Sequence, residues 1–137
     1  MRIFMDTNVL VDFICQREPF FVPAKKVLAT AIVQRNEIGI SALSIVNTIY
    51  IGRKHGSSVI RKRLLGLTAL LHVQSLRSED TTEMLACDWE DYEDSLQWCA
   101  AKQAAADCII TRNKKDFAKS SVPVYTPEEF VGILDAQ

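Results

Sequence analysis

Three aspartates stand at positions where a folded chain could bring them together. Asp6 follows a short apolar run, Asp94 precedes an Ala-rich stretch with Asp91 just before it, and Asp116 follows the apolar segment that ends at Thr111. Carboxylates gathered in one pocket repel one another, so such a cluster costs stability unless positive charge neutralises it. Mg²⁺ or Mn²⁺ would do so, because both ions favour oxygen ligands. A divalent ion held there can activate water and stabilise charge on a phosphate, so these residues suggest phosphodiester hydrolysis.

Each of these aspartates also has an ordinary structural interpretation. Asp6 could simply cap a helix, since Asp favours N-cap positions. Asp91 and Asp94 could complement the dipole of the helix that they open, and Asp116 could be an exposed loop residue. Taken singly, the structural roles are preferred. The set is more informative, because Asp6 and Asp116 both follow predicted strands.

The apolar pattern predicts alternating strands and helices. The first strand, residues 2–5, is apolar enough to be buried on both faces, as strands of parallel sheets are. Further strands are predicted at 37–40, 72–76, 107–111 and 122–125, the last at a sheet edge because of Pro123. Helices are predicted after Asp6, over 24–35, 44–54, 58–71, 78–87 and 91–105, and from Thr126, with a loop at 18–23.

Strands separated by helical crossovers imply an α/β fold with a mainly parallel sheet. No linker, internal repeat or low-complexity stretch divides residues 1–137, which favours one domain. Ligands of such sheets bind beyond the carboxyl ends of the strands. Asp6 and Asp116 are expected at that edge, and this would explain a carboxylate directly after a buried strand.

Composition excludes several classes of protein. With 16 basic and 17 acidic residues the chain lacks the basic footprint of a nonspecific DNA binder. No apolar run is long enough to span a membrane, and the start does not resemble a signal peptide, so a cytoplasmic protein is expected. The four cysteines show no C-x-x-C spacing, which favours buried thiols over zinc ligands or disulfides. Basic runs usually form solvated faces, but Arg112, Lys114 and Lys115 lie near the proposed site and could attract phosphate.

Three segments carry a family resemblance: FMDTNVLVDF, ISALSIVNTIY and DYEDSLQWCAAKQAAADCIITRNKKDF. Together they resemble the PIN domain family over nearly the whole chain. The resemblance implies a three-layer α/β/α sandwich around a central parallel sheet. It also implies a ribonuclease dependent on Mg²⁺ or Mn²⁺ that acts on RNA. Many bacterial members, the VapC-like toxins, are paired with an antitoxin protein and form homodimers, so an antitoxin partner and a homodimer are expected.

The resemblance also assigns individual positions. Asp6, Asp94 and Asp116 match the metal-binding and catalytic acids, with Asp91 as a helper. Asn47 stands where the family pattern S-x-L-x-x-x-E-x-x-Y usually has Glu, so the site should be less negative and bind metal more weakly. The polar positions expected to line the site are Thr7, Asn8, Thr111 and Asn113.

Two other functions remain open on sequence grounds. The chain could be a degenerate PIN domain that binds RNA or a protein without cutting, and Asn47 supports this alternative. It could also be a phosphatase-like or response-regulator-like protein with Asp6 as nucleophile. Against this second alternative, the D-x-D signature of aspartyl phosphatases is missing, because Asn8 occupies the second acidic position.

Overall fold

The computed structural model describes residues 1–136 and contains a five-stranded sheet in which every strand pair is parallel. The spatial order of the strands is β3-β2-β1-β4-β5, so β1 lies at the centre. The strands are β1 (Arg2–Met5), β2 (Glu37–Ser41), β3 (His72–Gln74), β4 (Cys108–Ile110) and β5 (Val124–Tyr125). The parallel sheet predicted from the sequence is confirmed.

Seven α-helices are present within residues 1–136, together with two short 3₁₀ turns at Gly52–His55 and Lys114–Phe117. The helices are α1 (Thr7–Ile14), α2 (Phe21–Val33), α3 (Ala42–Ile51), α4 (Ser57–Thr68), α5 (Ser78–Ala86), α6 (Tyr92–Gln103) and α7 (Pro127–Asp135). Among the same residues, none of the helices has the length and apolar character needed to cross a lipid bilayer.

The central strands separate two apolar cores, which produces three layers. Ile3 and Met5 point into one core, whereas Phe4 between them points into the other, as the alternation of side chains along a strand requires. The larger core is filled by α1, α2, α4 and α7 through Val9, Leu10, Val27, Leu28, Ile60, Leu64, Phe130 and Leu134. The smaller core is filled mainly by α6 and by aromatic residues beside it: Trp89, Ala100, Ala101 and Phe117.

Short side chains start the helices directly at the strand ends. Asp6 follows β1 and caps α1, and Ser41 ends β2 and caps α3 by accepting a hydrogen bond from the backbone N–H of Ser44. Such caps satisfy N–H groups that the first helical turn leaves free. Thr126 and Glu129 form the predicted capping box of α7. The position of Asp6 at the carboxyl end of the central strand β1 is therefore determined by local sequence.

Several predicted boundaries are wrong by a few residues. Helix α2 begins at Phe21, inside the predicted loop, because the ring of Phe21 stacks on Phe13 with centroids 5.9 Å apart and Pro23 is tolerated in a first turn. Helix α3 ends before Gly52, where an added Cβ would lie 3.0 Å from Cys15 and from Ile60. Strands β3 and β4 are also shorter than predicted.

Candidate active site

Asp6 is fixed at the carboxyl end of β1, where it is only 5% exposed. Its Oδ1 accepts a hydrogen bond of 2.8 Å from the backbone N–H of Thr7, and its Oδ2 accepts one of 2.8 Å from the hydroxyl of Thr111. Burial raises the pKa of Asp6 from 3.8 to about 6, although both hydrogen bonds act in the opposite direction by favouring the carboxylate. The two hydrogen bonds thus orient the carboxylate. Its raised pKa shows that the buried negative charge is unfavourable, so binding of a proton or a cation is favoured.

Thr111 is the centre of the polar contacts around Asp6. Its hydroxyl oxygen also accepts from the side-chain amide of Asn8 at 3.2 Å and from the backbone N–H of Asn113 at 3.2 Å. The Asn8 carbonyl oxygen in turn accepts from the backbone N–H of Arg112 at 3.3 Å. The structure therefore brings together Thr7, Asn8 and Thr111 around Asp6, whereas Asn113 contributes its backbone and keeps its side chain exposed.

Asp94 lies in the first turn of α6, and its surroundings are strongly negative. Burial raises its pKa from 3.8 to about 7, with further contributions from Asp6, Asp91, Asp116 and, last, Glu93. Like charges raise a carboxyl pKa only over short distances. The charges of Asp6 and Asp116 therefore both act on Asp94.

Asp91 is the N-cap residue of α6, whereas the sequence suggested a first-turn acid that complements the helix dipole. Its Oδ1 caps α6 by accepting from the backbone N–H of Glu93 at 2.9 Å and of Asp94 at 3.2 Å. The cap leaves Oδ2 of Asp91 for another contact. Asp116 lies in the 3₁₀ turn Lys114–Phe117 and is exposed.

The donor set fits a hard divalent cation. All the acidic groups offer oxygen atoms, and their mutual repulsion is relieved by positive charge. Within residues 1–136, however, no group of three or more His, Cys, Asp or Glu side chains is placed so that it could hold a metal ion. The assignment of Asp6, Asp94, Asp116 and Asp91 as ligands accordingly remains a prediction.

Comparison with known proteins settles the family. A family model described as PIN domain matches residues 2–115. The chain belongs to the PIN domain family. It is also similar to ribonuclease VapC1 of Aquifex aeolicus (strain VF5), with 24% identity over 136 residues that cover 94% of this chain and 92% of the relative.

Solved structures share the fold of this PIN domain. It superposes with a TM-score of 0.67 on VapBC2 from Rickettsia felis bound to a DNA fragment from its promoter, at 17% identity, covering 92% of this chain and 98% of that chain. A toxin-antitoxin complex from Klebsiella pneumoniae gives a TM-score of 0.67 at 23% identity, covering 90% and 96%. The α/β/α architecture implied by the sequence is thereby confirmed.

Asn47 is the position at which the family resemblance leads us to expect Glu. It lies on α3 and donates a hydrogen bond of 2.8 Å from its side-chain amide to Oε1 of Glu93. Glu93 is exposed and its charge contributes to the raised pKa values of Asp6 and Asp94. An acidic side chain from α6 thus stands beside the amide on α3.

Two features of the site were missed from the sequence. Gln97 is 1% exposed and donates to the hydroxyl oxygens of Thr7 and Ser44, both at 2.7 Å. These two hydrogen bonds tie α6 to α1 and α3, although Oε1 of Gln97 has no hydrogen-bond partner among residues 1–136. The sequence did carry a signal for these residues. Gln97 lies one helical turn after Asp94, and Ser44 lies one turn before Asn47, so each shares a helix face with a predicted site residue.

The second missed feature is an ion pair behind the site. Asp12 is 1% exposed and accepts hydrogen bonds from Nε of Arg112 at 2.6 Å and from its terminal nitrogen at 3.3 Å. Burial raises the pKa of Asp12, and Arg112 and Arg17 oppose that shift. Arg112 also lies over the Phe20 ring, 3.9 Å from its centroid. Arg112 therefore links the loop after β4 to α1, and its positive charge is paired with the carboxylate of Asp12.

Proposed function

We propose that this PIN domain is a ribonuclease that hydrolyses RNA phosphodiester bonds with Mg²⁺ or Mn²⁺ and acts in the cytoplasm as the toxin of a toxin-antitoxin pair. The observation that supports the chemistry is the raised pKa of Asp94, to which the charges of Asp6, at the carboxyl end of β1, and of Asp116 both contribute. The similarity to a protein named ribonuclease supports RNA as the substrate class.

The residues proposed to hold the ion are Asp6, Asp94 and Asp116, helped by Asp91. When bound, the ion would supply an activated water and stabilise negative charge on the phosphate. The hydroxyl of Thr111 keeps the Asp6 carboxylate in one orientation. The Asn113 side chain, which is exposed beside this network, is free to orient a water or a phosphate oxygen.

Protonation of the cluster makes cation binding dependent on pH. Since the pKa of Asp94 is about 7, this group carries a proton in a large part of the molecules near neutral pH. A cation competes with that proton. Affinity for Mn²⁺ is therefore expected to rise as the pH increases from about 6 to about 8.

The sequence indicates no element for direct reading of bases. RNA is commonly recognised by shape and by single-stranded segments. Selection of the substrate is proposed to rest on those properties. The homodimer expected from the resemblance also remains a prediction.

The decisive experiment compares cleavage of single-stranded and structured RNA by the native chain, Asp6→Asn and Asp94→Asn in the presence of Mn²⁺. Asp135→Asn is a suitable control, because Asp135 is an exposed carboxylate at the end of α7. We expect both site variants to lose at least about 100-fold in activity, as removal of central electrostatic groups does, while the control stays active. Equal cleavage by all four proteins would identify a contaminating nuclease and refute the proposal.

A second candidate is a PIN domain that binds RNA or a protein without cutting. The contact between Asn47 and Glu93 favours it, because α3 then offers the site an amide instead of a carboxylate. Calorimetric titration with Mn²⁺ separates the two functions. Absence of binding at millimolar metal would favour the non-cutting module.

The antitoxin partner is proposed from the family and from the toxin-antitoxin complexes that share the fold. A short neighbouring gene whose product begins with a DNA-binding segment would be the natural candidate. Co-expression followed by affinity purification tests it. Growth arrest by the chain alone, relieved by the neighbour, is the expected result for a toxin.

A further inference from the structure

An open cleft of about 540 Å³ continues the carboxylate site along the protein surface. Its lining includes Asp91 and Asp116 from the candidate site, with Trp89, Lys115 and Lys119 beyond them. A separate cavity of about 310 Å³ lies at the opposite edge of the sheet, beside Arg2 and Glu37. Only the first of these two is adjacent to the groups proposed to cut RNA.

One wall of the cleft is formed by Trp89, which packs against other aromatic side chains. Trp89 is buried, stacks on Trp98 with centroids 5.2 Å apart and meets the edge of Phe117 at 5.8 Å. Phe117 ends the 3₁₀ turn that carries Lys115 and Asp116. The backbone at Lys115 is therefore fixed relative to the acidic site, although its side chain is exposed.

Four cations follow β4, and three of them are already paired. Arg112 binds Asp12, Lys114 lies 3.0 Å from Oε2 of Glu129, and Lys119 contacts Asp88. The remaining cation, Lys115, has no ion pair within residues 1–136. Of these four cations, Lys115 thus lines the cleft without a carboxylate partner among the described residues.

Within this cleft, Lys115 offers a phosphate a positive charge that has no ion pair among the described residues. Glu90, Asp91 and Asp116 also line it, and they repel RNA. An ammonium beside Asp116 provides a compact positive charge of the kind that commonly binds phosphate. A single RNA strand lying along the cleft would pass Lys115, which lines it.

We propose that Lys115 binds a backbone phosphate of single-stranded RNA in this cleft, beside the phosphodiester bond that is cut. The inference rests on the proposed ribonuclease function and adds the path that the RNA strand follows. Lys115 acts in substrate binding, and the cut itself depends on the acidic residues.

The test measures RNA binding without cutting, in an Asp94→Asn parent. Lys115→Gln, Lys115→Arg and Lys114→Gln are introduced into this parent, and a fluorescent single-stranded oligoribonucleotide is titrated by anisotropy with Mg²⁺ present. Lys114→Gln is a matched control, because it removes the same charge from the neighbouring, paired position. Melting temperatures of all variants verify that they are folded.

We expect Lys115→Gln to weaken binding by about fivefold and to reduce the slope of log affinity against log salt by about 0.7, the value for one phosphate contact to a single strand. Lys115→Arg should retain most of the affinity, and Lys114→Gln should change it less than about twofold. In the chain with native Asp94, Lys115→Gln should raise KM and leave kcat nearly unchanged.

Two results would overturn the inference while leaving the ribonuclease proposal intact: unchanged affinity in Lys115→Gln, or an equal loss in Lys114→Gln. A parent that binds no RNA, together with a native chain that cuts none, would instead remove the proposed function and this inference with it. The two failures are therefore distinguishable.

Discussion

Replacing Asp94 by Asn should stabilise the metal-free protein at high pH. The pKa of Asp94 is raised from 3.8 to about 7 in the folded chain. The folded state therefore holds a proton that the unfolded state releases between about pH 4 and pH 7, and stability falls as the pH rises through that window. Asn has nearly the same shape and never acquires the charge.

The size of the effect follows from the shift. At about 1.36 kcal/mol per pKa unit, the full rise corresponds to about 4 kcal/mol above pH 7. Asp94 is only half-buried, so solvent screens part of this interaction. We therefore expect Asp94→Asn to raise the free energy of unfolding by about 2 kcal/mol at about pH 8, and by much less at about pH 4.5.

Urea denaturation in EDTA at the two pH values measures the difference. Asp135→Asn controls for the removal of one negative charge and should show little dependence on pH. Added Mn²⁺ should reverse the order at high pH, because an ion that binds the folded native chain stabilises it. A variant that is less stable than the native chain in EDTA at high pH, or equally shifted at both pH values, would refute the electrostatic reasoning.

Three further changes test other parts of the site. Thr111→Val removes the hydroxyl that donates to Asp6, so the pKa of Asp6 should rise further above about 6. Calorimetry should then show that Mn²⁺ binding is shifted to higher pH. An unchanged pH profile of binding would contradict this role of Thr111. Arg112→Ala leaves Asp12 buried without its main partner, so the free energy of unfolding measured with urea should fall by about 3 kcal/mol. A fall of less than about 1 kcal/mol would instead be typical of a surface ion pair. Asn47→Glu adds a carboxylate and should raise Mn²⁺ affinity in calorimetry about tenfold, whereas unchanged affinity would place this position outside the metal site.

The sequence by itself determined the order of strands and helices and the position of Asp6 at the end of β1. These features are local. A run of apolar residues specifies a buried strand, and a cap residue such as Asp6 or Thr126 starts a helix through hydrogen bonds to its own neighbours. The same locality explains the errors at Phe21 and at the end of α3, where packing against distant side chains moves a boundary.

Only the tertiary structure decided which polar groups meet. The hydrogen bond from Asn47 to Glu93 and the link from Gln97 to Ser44 join separate helices. Their partners are selected by distances across the fold, which spacing along the chain does not specify. Lys114 and Lys115 are adjacent and chemically identical, yet one forms an ion pair with Glu129 and the other lines the cleft. Sequence can nominate charged residues for a site, but the packing of helices on the sheet determines which charges remain available for chemistry.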